Sequence, residues 1–415
     1  MPYGPFAPRQ LPPQDEQRVR LLAERAMRAM TAHDKWAKGA KEAVDFVEGR
    51  QWTEEQVAKL LKQGRFALKF NKIWPLVRST LGFFSNNKTE IRALAGHDGT
   101  GVEDTAEIIT RLFKQAAEAN QTEFKDVEVF FNGLATGRGY YDDRLDFSKN
   151  DFGDLKTTSR NPFGVKLDPD GHDYDLNESC NYLFEDRWVS IDEIEAVYGP
   201  EAAQLVGPMI RGETPLTPIT SWIANPDGDT QPVRAFGGYD DESPEWFQFL
   251  QYNLGDFVDT YRKTIRLFDF QYYVRQTKRV FVDLETGQRK TIPDTWDNTR
   301  IEKALFHADQ VGNPLYVDVR PVPRIRWTTL IADLMAYDAW SPYDTFTFTP
   351  YFPYFREGHT RGMVEDMIDP QKEINKRRSV GIEIVGATAN SGWMHHESAL
   401  DADQERRLQQ FSSTP

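Results

Sequence analysis

The sequence predicts a mixed α+β protein, and two patterns along the chain support this class. From residue 16 to about residue 135, apolar residues recur every three or four positions, which is the period of amphipathic helices. From residue 265 to 355, apolar and polar residues alternate and aromatic residues are frequent, which favours β-strands. A chain of 415 residues is long enough for two or three domains. Helical and strand-rich parts are therefore expected to occupy different regions.

Composition excludes several classes of protein. With 39% hydrophobic residues the chain can build a core, so it is not disordered throughout. The net charge of −14 argues against a protein that binds nucleic acid over its whole surface, because such binding neutralises phosphates. Cys180 is the single cysteine, which excludes an internal disulfide and cysteine zinc modules. No apolar stretch is long enough for a membrane span, and residues 1–14 lack the apolar core of a secretory signal, so a cytoplasmic protein is expected.

The first third of the chain is predicted to be helical. Residues 16–47 have the helical period, and Gly49 ends that helix. Thr53 and Gln56 have the spacing of a capping box, which predicts a second helix start. Further helices are predicted at residues 71–84, 103–119 and 122–135.

The remaining chain is predicted to alternate between strands and helices. Ser190 with Glu193 is a second capping box, and Gly199-Pro200 ends the helix that it starts. Residues 211–245 are rich in Pro, Gly and Asp and are expected to form a long surface excursion. Extended segments are predicted at residues 140–147, 265–282, 314–331 and 345–355, a turn at Leu284–Gly287, and a helix from about residue 360.

A series of short segments occurs in a defined order over roughly residues 40–385. They are Phe46 to Trp52, Asn71 to Pro75, Asn86 to Lys88, Asn161 to Phe163 with Asp168-Pro169, Phe184 to Trp188 up to Tyr198-Gly199, Gly362 to Val364, and Asp369 to Ser379. In order and spacing these segments resemble the portal proteins, or head-to-tail connector rings, of short-tailed double-stranded DNA bacteriophages.

This resemblance implies a structural protein rather than an enzyme. Portal proteins form a dodecameric ring at one capsid vertex, which is the channel for genome packaging and ejection. The ring first docks the packaging motor and later the tail adaptor. The implied partners are other copies of the chain, the packaging terminase, tail adaptor and head-completion proteins, the major capsid and scaffolding proteins, and weakly bound double-stranded DNA. The implied location is the virion, after assembly in the host cytoplasm, with no cofactor, metal or membrane.

The resemblance also implies a domain order. The portal fold has a mainly helical wing and stem with a small inserted α/β clip, and neighbouring subunits close a ring. The implied regions are a proline-rich arm at 1–15, a wing or body at 16–262, a β-rich clip at 263–357, a stem or tunnel helix at 358–390, and a C-terminal helical segment toward a crown at 391–415. Related chains run on further into a crown or barrel.

The candidates for contact with DNA in the tunnel are four basic residues of one predicted helix. They are Lys372, Lys376, Arg377 and Arg378. In a ring each would become a circle of positive charge that touches passing phosphates. The alternative is that Glu373, Asp369 and neighbouring subunits neutralise these residues in ion pairs.

The candidates for contact with the motor or adaptor flank the predicted turn at 284–287. They are Arg275, Lys278, Arg279, Arg289 and Lys290, which make one strand pair basic within an acidic chain. Such a surface would orient an acidic partner and speed the encounter. The alternative is a set of solvated hairpin residues.

The candidates for the subunit interface come from an aromatic run between residues 340 and 355. They are Trp340, Tyr343, Phe346, Phe348, Tyr351 and Phe352. Aromatic residues anchor protein interfaces, so this run is expected to pack between subunits. Base stacking is the alternative, but a double-stranded genome keeps its bases stacked inside.

A different functional class remains open at residues 168–175. Alternating carboxylates from Asp168 to Asp175 could supply oxygen ligands to calcium or magnesium, and the alternative function is a metal-dependent nucleic-acid enzyme. The spacing is not that of an EF-hand, and turn chemistry explains it better. No P-loop or GxSxG motif is found, so nucleotide hydrolysis is not indicated. A connector ring below the portal is a third possibility, although such proteins are usually much shorter.

Overall fold

The chain adopts a mixed α+β fold with antiparallel sheets, as predicted. The structure, a computed structural model, describes residues 11–62, 65–87, 91–94, 102–147, 150–151, 153–211, 258–259, 261–284, 287, 289–293, 296–311, 315–332, 334–389 and 401–412. The predicted excursion at residues 211–245 therefore lies outside the described residues except for Arg211.

The helices begin and end close to the predicted positions. They are α1 (Glu16–Val47), α2 (Glu54–Lys62), α3 (Ile73–Asn86), α4 (Val102–Asn120), α5 (Thr122–Thr136), α6 (Leu176–Ser179), α7 (Ile191–Tyr198), α8 (Pro200–Ile210), α9 (Asn298–Val311), α10 (Glu365–Ala389) and α11 (Ala402–Ser412). The sequence does not predict α6, α8 or α9, and α10 begins about five residues later than expected. None of the described helices combines the length and apolar character needed to cross a membrane.

The strands include all the extended segments that the sequence predicts. They are β1 (Gly139–Asp146), β2 (Asp154–Arg160), β3 (Val165–Leu167), β4 (Tyr182–Ser190), β5 (Val258–Asp259), β6 (Thr264–Asp283), β7 (Arg289–Thr291), β8 (Leu315–Ile331), β9 (Leu334–Trp340), β10 (Phe348–Tyr351), β11 (Tyr354–Arg356) and β12 (His359–Arg361). The main sheet has the order β3-β4-β6-β8-β9, with β5 and β7 also paired to β6. A three-stranded sheet has the order β10-β1-β2, and β11 pairs with β12.

Local capping signals fix two helix starts as predicted. The Thr53 amide donates to Gln56 Oε1 at 3.1 Å and the Gln56 amide donates to Thr53 Oγ1 at 3.2 Å, so the capping box is complete. At the second site the Glu193 amide donates to Ser190 Oγ at 3.3 Å. Gly199, at φ +96°, ends α7, and the following proline is the first residue of α8.

The chain divides into two compact units, each discontinuous in sequence. The sheet unit comprises Met1–His33, Asp142–Lys156 and Phe163–Thr349, and the helical unit comprises Asp34–Tyr141, Thr157–Pro162 and Pro350–Pro415. The expected regions follow different borders, because the main sheet pairs β4, from the expected wing, with β6, from the expected clip. The roles of wing, clip and stem stay predictions.

Strand β6 organises the sheet unit. It is antiparallel to β8 over 17 consecutive residue pairs, from Leu267↔Ile331 to Asp283↔Leu315. On its other side β4 accompanies it only as far as Tyr272. The distal parts of both strands, residues 273–283 and 315–325, together with β7, therefore extend beyond the five-stranded part of the sheet; we call these segments the ribbon.

The proximal part of the sheet is covered on both faces. On one face α1 packs Leu22 against Phe184 and Phe270, and all three side chains are fully buried. On the other face α7 and α8 pack against a second apolar cluster that includes Ile194 and Ile331. Because side chains of a strand alternate between faces, these strands need apolar residues at successive positions.

An ion pair ties the start of α1 to the sheet. Arg18 Nη1 lies 2.6 Å from Asp338 Oδ2, and Asp338 also accepts from Arg326 Nε at 2.7 Å and Thr328 Oγ1 at 2.8 Å. Burial acts to raise the pKa of Asp338, but the hydrogen bonds from Arg326 and Thr328 outweigh it and the net pKa is lowered. The carboxylate thus stays ionised at the end of β9.

Two backbones approach closely in the helical unit. Gly137 ends α5 in the left-handed region at φ +81°, and a Cβ there would lie 2.8 Å from the carbonyl carbon of Arg361. A Cβ on Gly362 would lie 2.7 Å from the oxygen of Leu134. Only glycine fits at both positions, so the end of α5 contacts the segment before α10 without an intervening side chain.

The packing of α1 on the sheet makes a stability prediction. We expect Phe270→Ala to lower the free energy of unfolding by about 3–5 kcal/mol, because it opens a cavity under α1. Urea denaturation followed by circular dichroism measures the change. Leu205→Ala, whose side chain is 54% exposed, is the matched control and should change stability by less than about 0.5 kcal/mol. Equal effects of both substitutions would contradict the assigned core.

Candidate functional site

Two buried amides orient helix α10, which carries the predicted DNA-contacting cations. Gln371 and Asn375 are one helical turn apart and are 2% and 1% exposed. Gln371 Nε2 donates to the Phe70 carbonyl at 2.7 Å and its Oε1 accepts from the Lys72 amide at 3.0 Å. Asn375 Oδ1 accepts from the Phe70 amide at 2.9 Å and Nδ2 donates to Gln51 Oε1 at 2.6 Å. These two inward-facing amides of α10 are thus buried polar groups with hydrogen-bond partners.

Asn71 extends this amide network to α1 and α3. Its Nδ2 donates to the Val47 carbonyl at 2.8 Å, and its Oδ1 accepts from the amides of Ile73 and Trp74 at 3.1 Å each. Gln51 in turn donates to the Phe46 carbonyl at 3.1 Å. These side chains belong to three of the segments that carry the family resemblance, Phe46 to Trp52, Asn71 to Pro75 and Asp369 to Ser379, so these three segments meet in one place and fix the rotation of α10.

Ion pairs neutralise two of the four predicted cations. Lys372 Nζ lies 2.7 Å from Glu42 Oε1 and 3.8 Å from Asp369 Oδ1, and it also lies over the Phe46 ring. Arg377 pairs with Glu373 one turn earlier. For these two residues the structure favours the alternative of local neutralisation.

The other two cations are available for contact. Lys376 and Arg378 are exposed, and neither forms an ion pair with any residue that the structure describes. At 100° per residue, Lys376 and Arg378 are about 160° apart around the helix axis. Lys376 lies on the same side as Lys372. Contact with DNA therefore stays a prediction for Lys376 and Arg378.

The ribbon carries the predicted motor and adaptor contacts. Strands β6 and β7 form the predicted hairpin, with Arg289 opposite Val282 and Lys290 opposite Phe281. Arg289, Lys290 and Arg275 are exposed. Docking through these three residues stays a prediction.

Two ribbon cations are less accessible than the sequence suggested. Lys278 is 8% exposed, so its side chain is covered within the chain and does not present its charge to a partner. Arg279 is half-buried and donates to Asn298 Oδ1 at 2.7 Å and to the Trp296 carbonyl at 3.4 Å. Both contacts lie at or just before the start of the unpredicted helix α9, which explains why the sequence pattern did not reveal them.

Half of the predicted interface aromatics are buried within one chain. Phe346, Phe348 and Phe352 are at most 5% exposed. Phe346 packs edge-on to Tyr273, with ring centres 4.8 Å apart, and Phe352 packs edge-on to Tyr140. These three rings are already buried within one chain, so their burial does not require a neighbouring subunit.

The other three aromatics are half-buried. They are Trp340, Tyr343 and Tyr351. The guanidinium groups of Arg324 and Arg326 lie 5.0 Å from the Trp340 ring centre, and Tyr343 accepts from the Leu145 amide at 2.8 Å through its hydroxyl. A role in subunit packing stays a prediction for these three residues.

The carboxylates at 168–175 stabilise turns. Asp168 Oδ2 accepts from both the backbone and side-chain nitrogens of Asn181 at 3.1 Å, and Asp175 accepts from the Asn177 amide at 2.9 Å. Asp170 binds Arg28 through both carboxylate oxygens at 2.7 Å. No group of three or more metal-ligating side chains occurs in the part of the chain that the structure describes. The turn interpretation accounts for these contacts.

The thiol of Cys180, which lies near these turns, is in an environment that disfavours the reactive thiolate. Cys180 is 5% exposed, and burial, with a contribution from Asp168, raises its pKa to about 12.

Sequence reasoning missed a buried charged cluster on the sheet. Arg144 Nε donates to Asp142 Oδ1 at 2.7 Å and Nη1 to Asp269 Oδ2 at 3.4 Å, and its guanidinium lies 4.5 Å from the Trp327 ring centre. Asp269 also accepts from Trp327 Nε1 and from Thr329 Oγ1 at 3.0 Å. Burial acts to lower the pKa of Arg144, but the two carboxylates outweigh it and the net pKa is raised. The sequence signal is a charged residue, Asp269, among the buried apolar residues Leu267, Phe268 and Phe270 of β6.

The described surface thus presents exposed cations on a helix and on a ribbon, features that suit contact with large charged partners. A family model for the Phage P22-like portal protein matches residues 23–414. The chain therefore belongs to the Phage P22-like portal protein family, whose members are structural and non-enzymatic. Membership implies an oligomeric ring with phage partners and a place in the virion. A search of curated proteins finds no match.

The amide network makes a second stability prediction. We expect Asn375→Ala to lower the free energy of unfolding by about 1–3 kcal/mol, because it leaves the Phe70 amide and the Gln51 side chain without their partner in a buried place. Chemical denaturation measures the change. The neighbouring exposed substitution Lys376→Ala should stay within about 0.5 kcal/mol of the unchanged protein. A neutral Asn375→Ala would show that the network does not hold α10.

Proposed function

We propose that copies of this chain close into a dodecameric ring at one capsid vertex, and that this ring is the channel for genome packaging and ejection. Family membership supports the class of protein, and the geometry of α10 supports the channel. In a cyclic assembly, neighbouring subunits meet head to tail through different surfaces. One exposed cation per subunit then becomes a circle of positive charges around the axis.

The observation that carries the proposal is that Lys376 and Arg378 are exposed on a helix whose rotation is fixed by buried hydrogen bonds. The amide network holds the inward face of α10. Lys376 points away from that face, whereas Arg378, seven residues after Gln371, lies on the same side of the helix as the network. Both side chains are exposed and have no ion-pair partner among the described residues. Isolated cations on an otherwise acidic chain make contacts with phosphates that are weak and salt-dependent. Weak contact suits a channel, because tight binding would stop the passage of DNA.

The same proposal assigns partners to the other candidate surfaces. The exposed ribbon residues Arg275, Arg289 and Lys290 would meet the packaging terminase during filling and the tail adaptor or head-completion proteins afterwards. Trp340, Tyr343 and Tyr351 would complete their burial against a neighbouring subunit. Assembly in the host cytoplasm with scaffolding and major capsid proteins would precede incorporation into the virion.

Ring formation is the first test of this function. We expect negative-stain microscopy of the purified full chain to show rings with a central hole, and class averages to give the subunit number. The measurement is repeated with scaffolding protein present, because some rings assemble only with a partner. Compact monomers under every condition would contradict the proposal, and closed rings of another number would correct only the dodecamer.

Packaging tests the DNA contact. We expect Lys376→Ala/Arg378→Ala particles to package at a rate reduced about fivefold, the effect of losing about 1 kcal/mol of phosphate contact. The rate is measured as DNase-protected DNA per particle over time, at low and high salt.

Lys372→Ala is the matched control, because that lysine is already neutralised by Glu42. Its particles should package at nearly the normal rate. If the double variant packages full genomes as fast as the control, these cations do not contact DNA.

A further inference from the structure

Strand β6 has a short gap in its hydrogen bonding along one edge of the ribbon. On that edge the Tyr273 amide donates to the Asn181 carbonyl at 2.9 Å, and six residues later Arg279 accepts from the Ile292 amide at 2.9 Å. Between these two points Arg275 and Thr277 have no strand beside them within the described residues, and both are exposed.

The backbone groups of these two residues point into the gap. In the β6–β8 register, Arg275 lies opposite Pro323 and Thr277 lies opposite Pro321. Proline has no amide hydrogen, so neither pair can be a hydrogen-bonded rung of that ladder. The N–H and C=O groups of Arg275 and Thr277 must therefore face away from β8, as those of Tyr273 and Arg279 do.

The opposite edge of the ribbon is closed to strand pairing. Pro321 and Pro323 remove two outward amides of β8, and the Val319 amide donates to its neighbour Asp318 Oδ1 at 2.8 Å. The Ile325 carbonyl accepts from the Ser341 amide at 2.9 Å. A hydrogen bond from Arg320, followed by the bond from Val319, lowers the pKa of Asp318, so this cap stays ionised. Among the residues that the structure describes, the ribbon is thus open on one edge and protected on the other.

We propose that the gap at Arg275 and Thr277 binds an extended, acidic segment of another protein, which adds a short strand to β6. Such a strand would satisfy two outward N–H and two outward C=O groups. An acidic residue opposite Arg275 would pair with its exposed guanidinium, and Arg289 and Lys290 lie exposed in the same ribbon. The chain as a whole has a net charge of −14, which makes this basic edge distinct.

A second copy of the chain fits this gap poorly. Pairing with the β8 edge of a neighbour is prevented by Pro321, Pro323 and the capped Val319 amide. Pairing of two β6 edges would place the Arg275 side chains of both copies in one short antiparallel strand pair, where like charges repel. That arrangement is also two-fold symmetric, whereas a ring requires head-to-tail contacts. Charge and geometry therefore favour a different, acidic partner.

The inference rests on the proposed function in one respect, since that function makes the ribbon a docking surface for packaging or tail proteins. It adds the binding mode, which is strand addition, and the chemistry of the bound segment.

Peptide binding to the assembled full chain tests the inference. The probe is the fluorescein-labelled heptapeptide acetyl-TEVTVET-amide, and its comparison is the same peptide with lysine in place of both glutamates. We expect the acidic peptide to bind at least about tenfold more tightly in fluorescence anisotropy, and to slow hydrogen exchange in the segment that contains Arg275 and Thr277.

Thr277→Pro is the decisive variant, because it removes an outward amide and leaves the rungs to β8 intact. We expect it to weaken peptide binding at least about tenfold without lowering the melting temperature. Gln276→Pro, whose amide faces β8, is the contrast and should lower the melting temperature. Arg275→Glu should reverse the preference between the two peptides.

Three outcomes would overturn the inference. They are equal binding of both peptides, unchanged binding to Thr277→Pro, and protection of this segment that grows with protein concentration when no peptide is present, which would indicate pairing between copies. Microscopy of the same sample separates the two proposals. Absence of rings would remove the proposed function, while the peptide result would still decide whether the edge accepts a strand.

Discussion

The pairing of β6 with β8 is the constraint on which the sheet unit depends. One uninterrupted register of 17 residue pairs runs from the buried core into the ribbon. In the core it places Phe268 and Phe270 under α1, and in the ribbon it places Pro321 and Pro323 where no amide is required. A shift by one residue would turn the core side chains to the other face and direct proline nitrogens into the ladder. The apolar core and the ribbon prolines therefore select the same register.

The helical unit depends on a different kind of interaction. The inward face of α10 carries Gln371 and Asn375, which follow the buried apolar residues Val364 and Ile368. Apolar contacts alone tolerate small rotations of a helix, whereas amides with defined donors and acceptors accept one orientation. The segments that contribute these amides thus have a structural role. By fixing the rotation of α10, they also determine where its exposed cations lie.

The sequence predicts helices and strands better than it predicts which residues cover or pair with their side chains. Thr53 and Gln56 predict a helix start correctly because both partners of a capping box lie close together in sequence. The alternation of apolar and polar residues in β6 predicts a strand because it too is a local pattern. The sequence does not reveal that Lys278 is buried or that Lys372 pairs with Glu42, because both depend on how distant parts of the chain fold together. The sequence pattern does not reveal helix α9, because strand-like segments flank residues 298–311 on both sides.

The close contact at Gly137 and Gly362 has a mechanical consequence. Where side chains separate two elements, rotamer changes can absorb small displacements. Here the backbones at Gly137 and Gly362 are in direct contact with the neighbouring segment, so no side chain lies between them. The end of α5 and the entry to α10 are thus coupled directly through their backbones. In the proposed ring, a force on α10 would therefore reach α5 through this backbone contact.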